Sequence, residues 1–237
     1  MASVSKTLLL FRPARSLQNP VSRLFSSLAP PQYEFLSVSV PKTHVYHVEL
    51  NRPDKLNTFT HNSWRELKEC FASLSDNPEC RVVVLSGKGK HFTAGIDLKS
   101  MMAIEMKTQD IDDPARKARI TYKFIEDYQA GITALEDCIK PVIAVTHNAC
   151  IGAGVDLITA ADMSAIKEVL EIAATIASKS PIAVQTTKMS LVYSQCRTTK
   201  DGLRHIKLLN QLMLQSDDLK AAAMAQLTKS QAEFENV

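Results

Sequence analysis

Hydrophobic and polar residues alternate along residues 33–50, apart from a break at Pro41-Lys42. This period of two predicts two strands in a hairpin. Residues 60–75 repeat their apolar positions at helical spacing, which predicts an amphipathic helix. Residues 81–86 form an unbroken run, RVVVLS, which is typical of a parallel strand buried on both faces.

The alternation of helix and strand continues through the middle of the chain. Residues 101–108 and 115–139 have helical spacing, and the acidic stretch between them is predicted to be a loop. Residues 142–145 are apolar and mostly β-branched, which predicts another buried strand. Residues 155–161 are apolar and predict a further helix.

The C-terminal part has only helical patterns, over residues 165–178, 181–193 and 200–235. No strand is predicted from Ser164 onward. Strands and helices followed by helices alone indicate an α/β core with a helical appendage. We therefore divide the chain into a leader at residues 1–32, a core at 33–163 and a helical region at 164–237.

The leader differs in composition from the rest of the chain. It contains Lys6, Arg12, Arg15 and Arg23, many serines, and no acidic residue before Glu34. This composition is typical of a mitochondrial transit peptide, because a secretory signal would have a longer uninterrupted apolar centre. A disordered tail is the alternative.

Composition and charge exclude several classes of protein. A chain of 237 residues with a formal net charge of +3 lacks the clustered basic face of a nucleic-acid-binding protein. No apolar run approaches the ~20 residues of a membrane span. The five cysteines form no CxxC pair, so we expect reduced, mostly buried thiols, and neither they nor the histidines have the spacing of a metal site.

One stretch suggests chemistry. The strand at 142–145 leads into Gly152-Ala153-Gly154 and then a helix that carries Asp156 in its first turn. Free N–H groups at such a turn, beside an ionisable group, suit proton transfer next to a developing oxyanion. The alternative is that Asp156 is only a first-turn carboxylate that the helix dipole favours.

Three ordered motifs resemble the crotonase (enoyl-CoA hydratase/isomerase) superfamily. They are NRPDKLN, HFTAGIDLK and KPVIAVTHNACIGAGVDLITAAD, and the later SKSPIAVQTTKMSLVYS resembles the family's C-terminal part. Hydratases of this family have a catalytic Glu where this chain has Asp156. The dienoyl-CoA isomerases have an Asp there, as this chain does.

The resemblance implies an α/β fold of ββα turns stacked as a spiral, with C-terminal helices that join subunits into a trimer or a dimer of trimers. It implies an acyl-CoA substrate, with coenzyme A as part of that substrate and no other cofactor. Asp156 would be the general base, and the N–H groups of Ile96 and Ala153 would bind the thioester oxygen. The remaining substrate or coenzyme A contacts implied by the motifs are Lys55, Ala94, Gly95, Asp97, Lys99, Gly152 and Gly154.

The chain departs from the family pattern in two places. Ala153 replaces a Gly, and a methyl group there would crowd the thioester if φ were positive. After Asp162, about sixty residues of the family pattern are missing, roughly a quarter of a domain of this size. The missing turns supply the partner carboxylates in dienoyl-CoA isomerases. Glu168 and Glu171 are the nearest carboxylates in sequence, and their pattern with Lys167 indicates a solvated face.

These features leave three hypotheses open. The resemblance implies isomerisation of 3,5-dienoyl-CoA to 2,4-dienoyl-CoA in the mitochondrial matrix, during β-oxidation of unsaturated fatty acids, with hydration of enoyl-CoA as an alternative. The missing carboxylates favour a catalytically impaired subunit that binds acyl-CoA or modulates oligomers. A third possibility is that the shortened spiral does not fold stably, since deleting layers exposes strand edges.

Overall fold

The computed structural model describes residues 32–165, 169–213 and 215–237. The predicted transit peptide, apart from Gln32, lies outside the described residues.

The described core is built on one sheet in which the strands follow their order in the sequence. The first two strands are antiparallel and pair Leu36 with Leu50, while the later neighbours pair in parallel. The strands are β1 (Leu36–Lys42), β2 (Val45–Leu50), β3 (Val82–Gly87), β4 (Val142–Val145) and β5 (Met163–Ala165). The predicted hairpin and the two predicted buried strands are confirmed.

The helices follow the predicted pattern within a few residues at most ends. A 3₁₀ turn at Pro53–Lys55 precedes them. They are α1 (His61–Asp76), α2 (Leu98–Thr108), α3 (Pro114–Asp137), α4 (Ala153–Thr159), α5 (Val169–Ala177), α6 (Pro181–Ser194), α7 (Thr199–Met213) and α8 (Asp217–Thr228). Several follow a residue whose side chain accepts a hydrogen bond from a free N–H group in the first turn. Thr60 does so before α1 and Ser180 before α6.

The sheet is covered on both faces, as the β-branched run at β3 predicts. Val83 and Leu85 belong to the core cluster that includes α1, whereas Val82 and Val84 belong to the cluster that includes α5. Because side chains alternate along a strand, one unbroken apolar run supplies both clusters. On the α1 side, Trp64 is 1% exposed and lies under α3.

The prediction of helices alone from Ser164 onward is wrong at its first two residues. Ser164 and Ala165 belong to β5, which pairs with β4 in parallel. The sequence Met163–Ala165 has no β-branched residue, so its pattern gives no strand signal. Pairing with β4, twenty residues earlier in the chain, makes it a strand.

Candidate active site

The loop after β3, residues 93–97, is held by backbone hydrogen bonds on two sides. Thr93 N–H donates to the carbonyl of Ala149, and Ile151 N–H donates to the carbonyl of Thr93. On the other side, Phe59 N–H donates to the carbonyl of Gly95. These bonds place loop 93–97 between the chain that enters α1 and the chain that enters α4.

Two glycines allow the loop to approach the start of α4 closely. Gly95 has φ of 92°, and a Cβ there would lie 3.0 Å from the carbonyl oxygen of Ile151. Gly152 has φ of 56° and ψ of −127°, and it immediately precedes α4. A side chain at either position would strain the backbone.

This close approach brings together two N–H groups, those of Ile96 and Ala153. In the part of the chain that the structure describes, neither N–H donates to a protein acceptor. Phe59 pairs in parallel with Ile96, so Gly95 and Asp97 take the bonds to Phe59 and the N–H of Ile96 points away from it. Two free N–H donors on neighbouring segments can stabilise an oxyanion when both reach the same oxygen atom.

The alanine at position 153 fits this arrangement. Ala153 is the first residue of α4, and the positive φ falls on Gly152 before it. Ala153 therefore keeps its N–H donor without the strain that a positive φ would impose on a methyl-bearing residue.

Asp156 lies in the first turn of α4 with its side chain exposed. No side chain or N–H group among the described residues donates to its carboxylate. The carboxylate is therefore open to solvent and has no competing partner among the described residues.

Among the described residues, no hydrogen bond links the carboxylate of Asp156 to a second carboxylate. Glu171 forms an exposed ion pair with Lys42, with 2.5 Å between Oε1 and Nζ, as expected for a solvated face. Glu168 lies outside the described residues. Asp156 is thus a lone candidate base in the described structure.

Asp97 has structural partners of its own. Its Oδ1 accepts hydrogen bonds from the N–H groups of Lys99 and Ser100 at the start of α2, and its Oδ2 lies 3.5 Å from the guanidinium of Arg52. Burial acts to raise the pKa of Asp97, but these bonds, the charge of Arg52 and a bond from Thr58 together hold the pKa below its usual value. A contact between its carboxylate and coenzyme A stays a prediction.

The other predicted contacts surround the two donors. Ala94 is half-buried and Gly154 is buried, while Gly152 is exposed at the turn. Lys55 and Lys99 are exposed, and within the described chain neither ammonium forms an ion pair. Both lysines are available to coenzyme A phosphates, and this role stays a prediction.

The sequence reasoning missed the residues that support loop 93–97. Asn57 is buried with φ of 54°, and its Nδ2 donates to the carbonyls of Lys88, His91 and Phe92. The hydroxyl of Thr93 donates to the carbonyl of Asn57 at 2.7 Å and accepts from Gly95 N–H. The signal was available, because Asn is one of the few residues that tolerate positive φ and it ends the NRPDKLN motif.

Comparison with known proteins finds relatives of one family. A family model described as enoyl-CoA hydratase/isomerase matches residues 41–169. A mitochondrial Delta(3,5)-Delta(2,4)-dienoyl-CoA isomerase from Mus musculus is 33% identical over 281 positions, covering 90% of this chain and 86% of the relative. A peroxisomal protein of the same name from Arabidopsis thaliana is 33% identical over 256 positions, covering 80% of this chain and 92% of the relative.

Solved structures of the same fold extend the likeness. A putative enoyl-CoA hydratase from Streptomyces coelicolor A3(2) superposes with a TM-score of 0.75 at 20% identity, covering 88% of this chain and 97% of that one. Among the described residues, no helix is long and apolar enough to cross a membrane, and no group of His, Cys, Asp and Glu side chains is placed to hold a metal ion.

Proposed function

This chain belongs to the enoyl-CoA hydratase/isomerase family, and we propose that it isomerises 3,5-dienoyl-CoA to 2,4-dienoyl-CoA. The observation that carries the proposal is the pair of free N–H groups, at Ile96 and Ala153, beside the exposed carboxylate of Asp156. The names of the relatives that match most of the chain support the same reaction.

The reaction needs a base and an oxyanion site. The carboxylate of Asp156 takes a proton from C2, and the electron pair of that bond forms the C2–C3 double bond. The remaining double bonds shift by one position, and a proton is added at C6. In between, negative charge collects on the thioester oxygen, where the N–H groups of Ile96 and Ala153 stabilise it by about 3 kcal/mol each.

A second candidate is an acyl-CoA-binding subunit with impaired catalysis. Two observations favour it: Asp156 has no partner carboxylate among the described residues, and the alignment with the mouse relative spans 281 positions although this chain has only 237 residues. The relative therefore has positions that this chain lacks. A protein with only one proton-transfer group can bind a substrate and remove its C2 proton. Without a second group, protonation at C6 is slow.

Absorbance of the conjugated product separates the candidates. The full chain is mixed with a 3,5-dienoyl-CoA, and growth of the ultraviolet band of the 2,4-dienoyl thioester is followed for the wild type and for Asp156→Asn. Asp110→Asn is the matched control, since Asp110 is an exposed carboxylate on the turn after α2.

Turnover that is lost in Asp156→Asn and kept in Asp110→Asn supports the isomerase. Turnover unchanged in Asp156→Asn contradicts the role of Asp156. Tight binding without turnover supports the second candidate. Water addition, detected as a 3-hydroxyacyl-CoA product, would identify a hydratase, which Asp in place of Glu at position 156 disfavours.

The same proposal places the protein in the mitochondrial matrix as a trimer or a dimer of trimers. The arginine- and serine-rich residues 1–32 and the mitochondrial relatives support the location. Imaging of a fluorescent fusion with and without residues 1–32 tests the location, and light scattering of the purified chain tests the assembly. A peroxisomal signal, or a monomer at micromolar concentration, would contradict these assignments.

A further inference from the structure

A buried lysine in the helical region bonds to the segment that carries the candidate site. Lys188 is on α6, and its side chain is 6% exposed. Its Nζ lies 2.9 Å from Oδ2 of Asp162 and 3.2 Å from the carbonyl oxygens of Leu135 and Lys140. An ammonium group has three N–H donors, and each has an acceptor here.

Asp162 connects this lysine to the segment that carries the site. The same Oδ2 accepts a hydrogen bond of 2.8 Å from Val142 N–H, and Asp162 N–H donates to the carbonyl of Val142. Val142 begins β4 and Asp162 follows α4. The two residues therefore close residues 142–162 into one unit, and this unit contains both Ala153 and Asp156.

The other two acceptors hold the chain that enters this unit. The carbonyl of Leu135 is in the last turn of α3, where carbonyl groups lack helical partners, and Lys140 lies just before β4. Lys188 thus joins α6, the end of α3 and the closed unit 142–162 through one ammonium group.

The two N–H donors of the site lie on separately anchored segments. Loop 93–97, with Ile96, is anchored to Asn57 and Phe59, whereas Ala153 moves with unit 142–162. The pairing of β4 with β3 and β5 holds the start of this unit, and the bonds between Thr93 and the chain near Ile151 hold its turn. Lys188 bonds to Asp162, which ends the unit after α4. Within the unit, α4 is held on its N-terminal side by the turn and beyond its C-terminal end by Asp162, so loss of the bond from Lys188 loosens the helix that begins at Ala153.

We propose that Lys188 is a positioning residue for the oxyanion site: acting through Asp162, it sets the place of Ala153 N–H relative to Ile96 N–H. The proposal rests on the oxyanion role given to these two donors above. Loss of the lysine should let unit 142–162 shift, and displacements of about 1 Å in a catalytic arrangement reduce rates by up to about a hundredfold.

The test uses a spectroscopic signal that depends on donor placement. Donors on the thioester oxygen polarise a conjugated 2,4-dienoyl-CoA and move its absorbance band to longer wavelength when it binds. The full chain is compared with Lys188→Met, which keeps the length of the side chain without its charge. Lys179→Met, at an exposed lysine in the turn before α6, is the control.

We expect the wild type and Lys179→Met to give the same red shift. Lys188→Met should lose at least half of it, with kcat lower by about tenfold and KM changed less than twofold, because the exposed contacts for coenzyme A are intact. If Lys188→Met does not fold, the double variant Lys188→Met/Asp162→Asn replaces it, because it also removes the carboxylate charge that Lys188→Met leaves unpaired. The double variant should fold and should still lack the full red shift.

Two results would overturn the proposal, and they differ in what else they reject. A full red shift and an unchanged kcat in a folded Lys188 variant would reject only the role of Lys188. A wild-type complex that binds the dienoyl-CoA without any red shift would reject the oxyanion assignment itself, and the role of Lys188 with it.

Discussion

The contact between α4 and loop 93–97 can be perturbed at one atom. A Cβ at Gly154 would lie 2.3 Å from Cγ2 of Thr93 and 3.3 Å from Sγ of Cys150. Thr93 is fully buried, and its hydroxyl bonds to Asn57 and Gly95, so its side chain cannot rotate away without breaking these bonds. Gly154→Ala must therefore push the two segments apart.

Two opposing effects determine how Gly154→Ala changes the free energy of unfolding. Overpacking a buried site costs about 1–3 kcal/mol, and an approach of 2.3 Å belongs to the upper part of that range, about 2–3 kcal/mol. Replacing Gly with Ala inside a helix raises the free energy of unfolding by about 1 kcal/mol, because Ala has the higher helix propensity. Gly154→Ala should therefore lower the free energy of unfolding by about 1–2 kcal/mol and reduce turnover, since the clash separates the donors of Ile96 and Ala153.

Thr93→Ser provides a matched partner variant. It removes the clashing Cγ2 and keeps the hydroxyl, at a cost of about 1 kcal/mol for one buried methyl group. In Gly154→Ala/Thr93→Ser the new methyl group occupies the space that Cγ2 leaves. The double variant should therefore be more stable than the sum of the two single changes predicts, by about 1–2 kcal/mol.

Unfolding in urea is measured through the fluorescence of Trp64, which is the chain's single tryptophan and is 1% exposed. The four proteins form a double-mutant cycle. Additive costs in that cycle, or a Gly154→Ala protein as stable as the wild type, would refute the steric argument.

Three further predictions concern single side chains. Asp97→Asn should lower the free energy of unfolding by up to about 1 kcal/mol at pH 7, because Asn keeps the helix cap but loses the charge interaction with Arg52. Because hydrogen bonds and the nearby guanidinium outweigh burial and lower the pKa of Asp97, its stabilisation is present above the unfolded value of about 4 and is lost as the pH falls through the folded value. A gap between the two urea midpoints that is unchanged at pH 3 would contradict this. Tyr128→Phe should leave the midpoint unchanged or raise it, since the buried hydroxyl of Tyr128 has no partner among the described residues, and a loss above 1 kcal/mol would reveal one. A thiol reagent at pH 8 should label Cys196 first in the native protein, because burial raises the pKa of Cys70 to about 12 and encloses it. Peptide mapping that finds Cys70 labelled before unfolding would contradict this.

The sequence by itself determined the elements whose signal is local. The β-branched run of β3 and the helical spacing of α1 depend on neighbours a few positions away, and both elements formed as predicted. The motif order also identified the family and placed Asp156 after a glycine turn, because the turn needs residues that accept unusual backbone angles.

Only the tertiary structure decided which groups are free and which are occupied. Lys188 has the pattern of an ordinary helix lysine, but acceptors 26 to 53 positions earlier in the chain make it a buried connection. Asp97, whose predicted contact with substrate stays a prediction, caps α2 and pairs with Arg52. The N–H groups of Ile96 and Ala153 were predicted donors, and among the described residues the fold leaves both without a protein acceptor on segments that approach each other at Gly95 and Gly152. Hydrophobic periodicity is a property of residues that are close in sequence, so the sequence reveals it directly. The hydrogen-bond partner of a polar group depends on which distant segment packs against it.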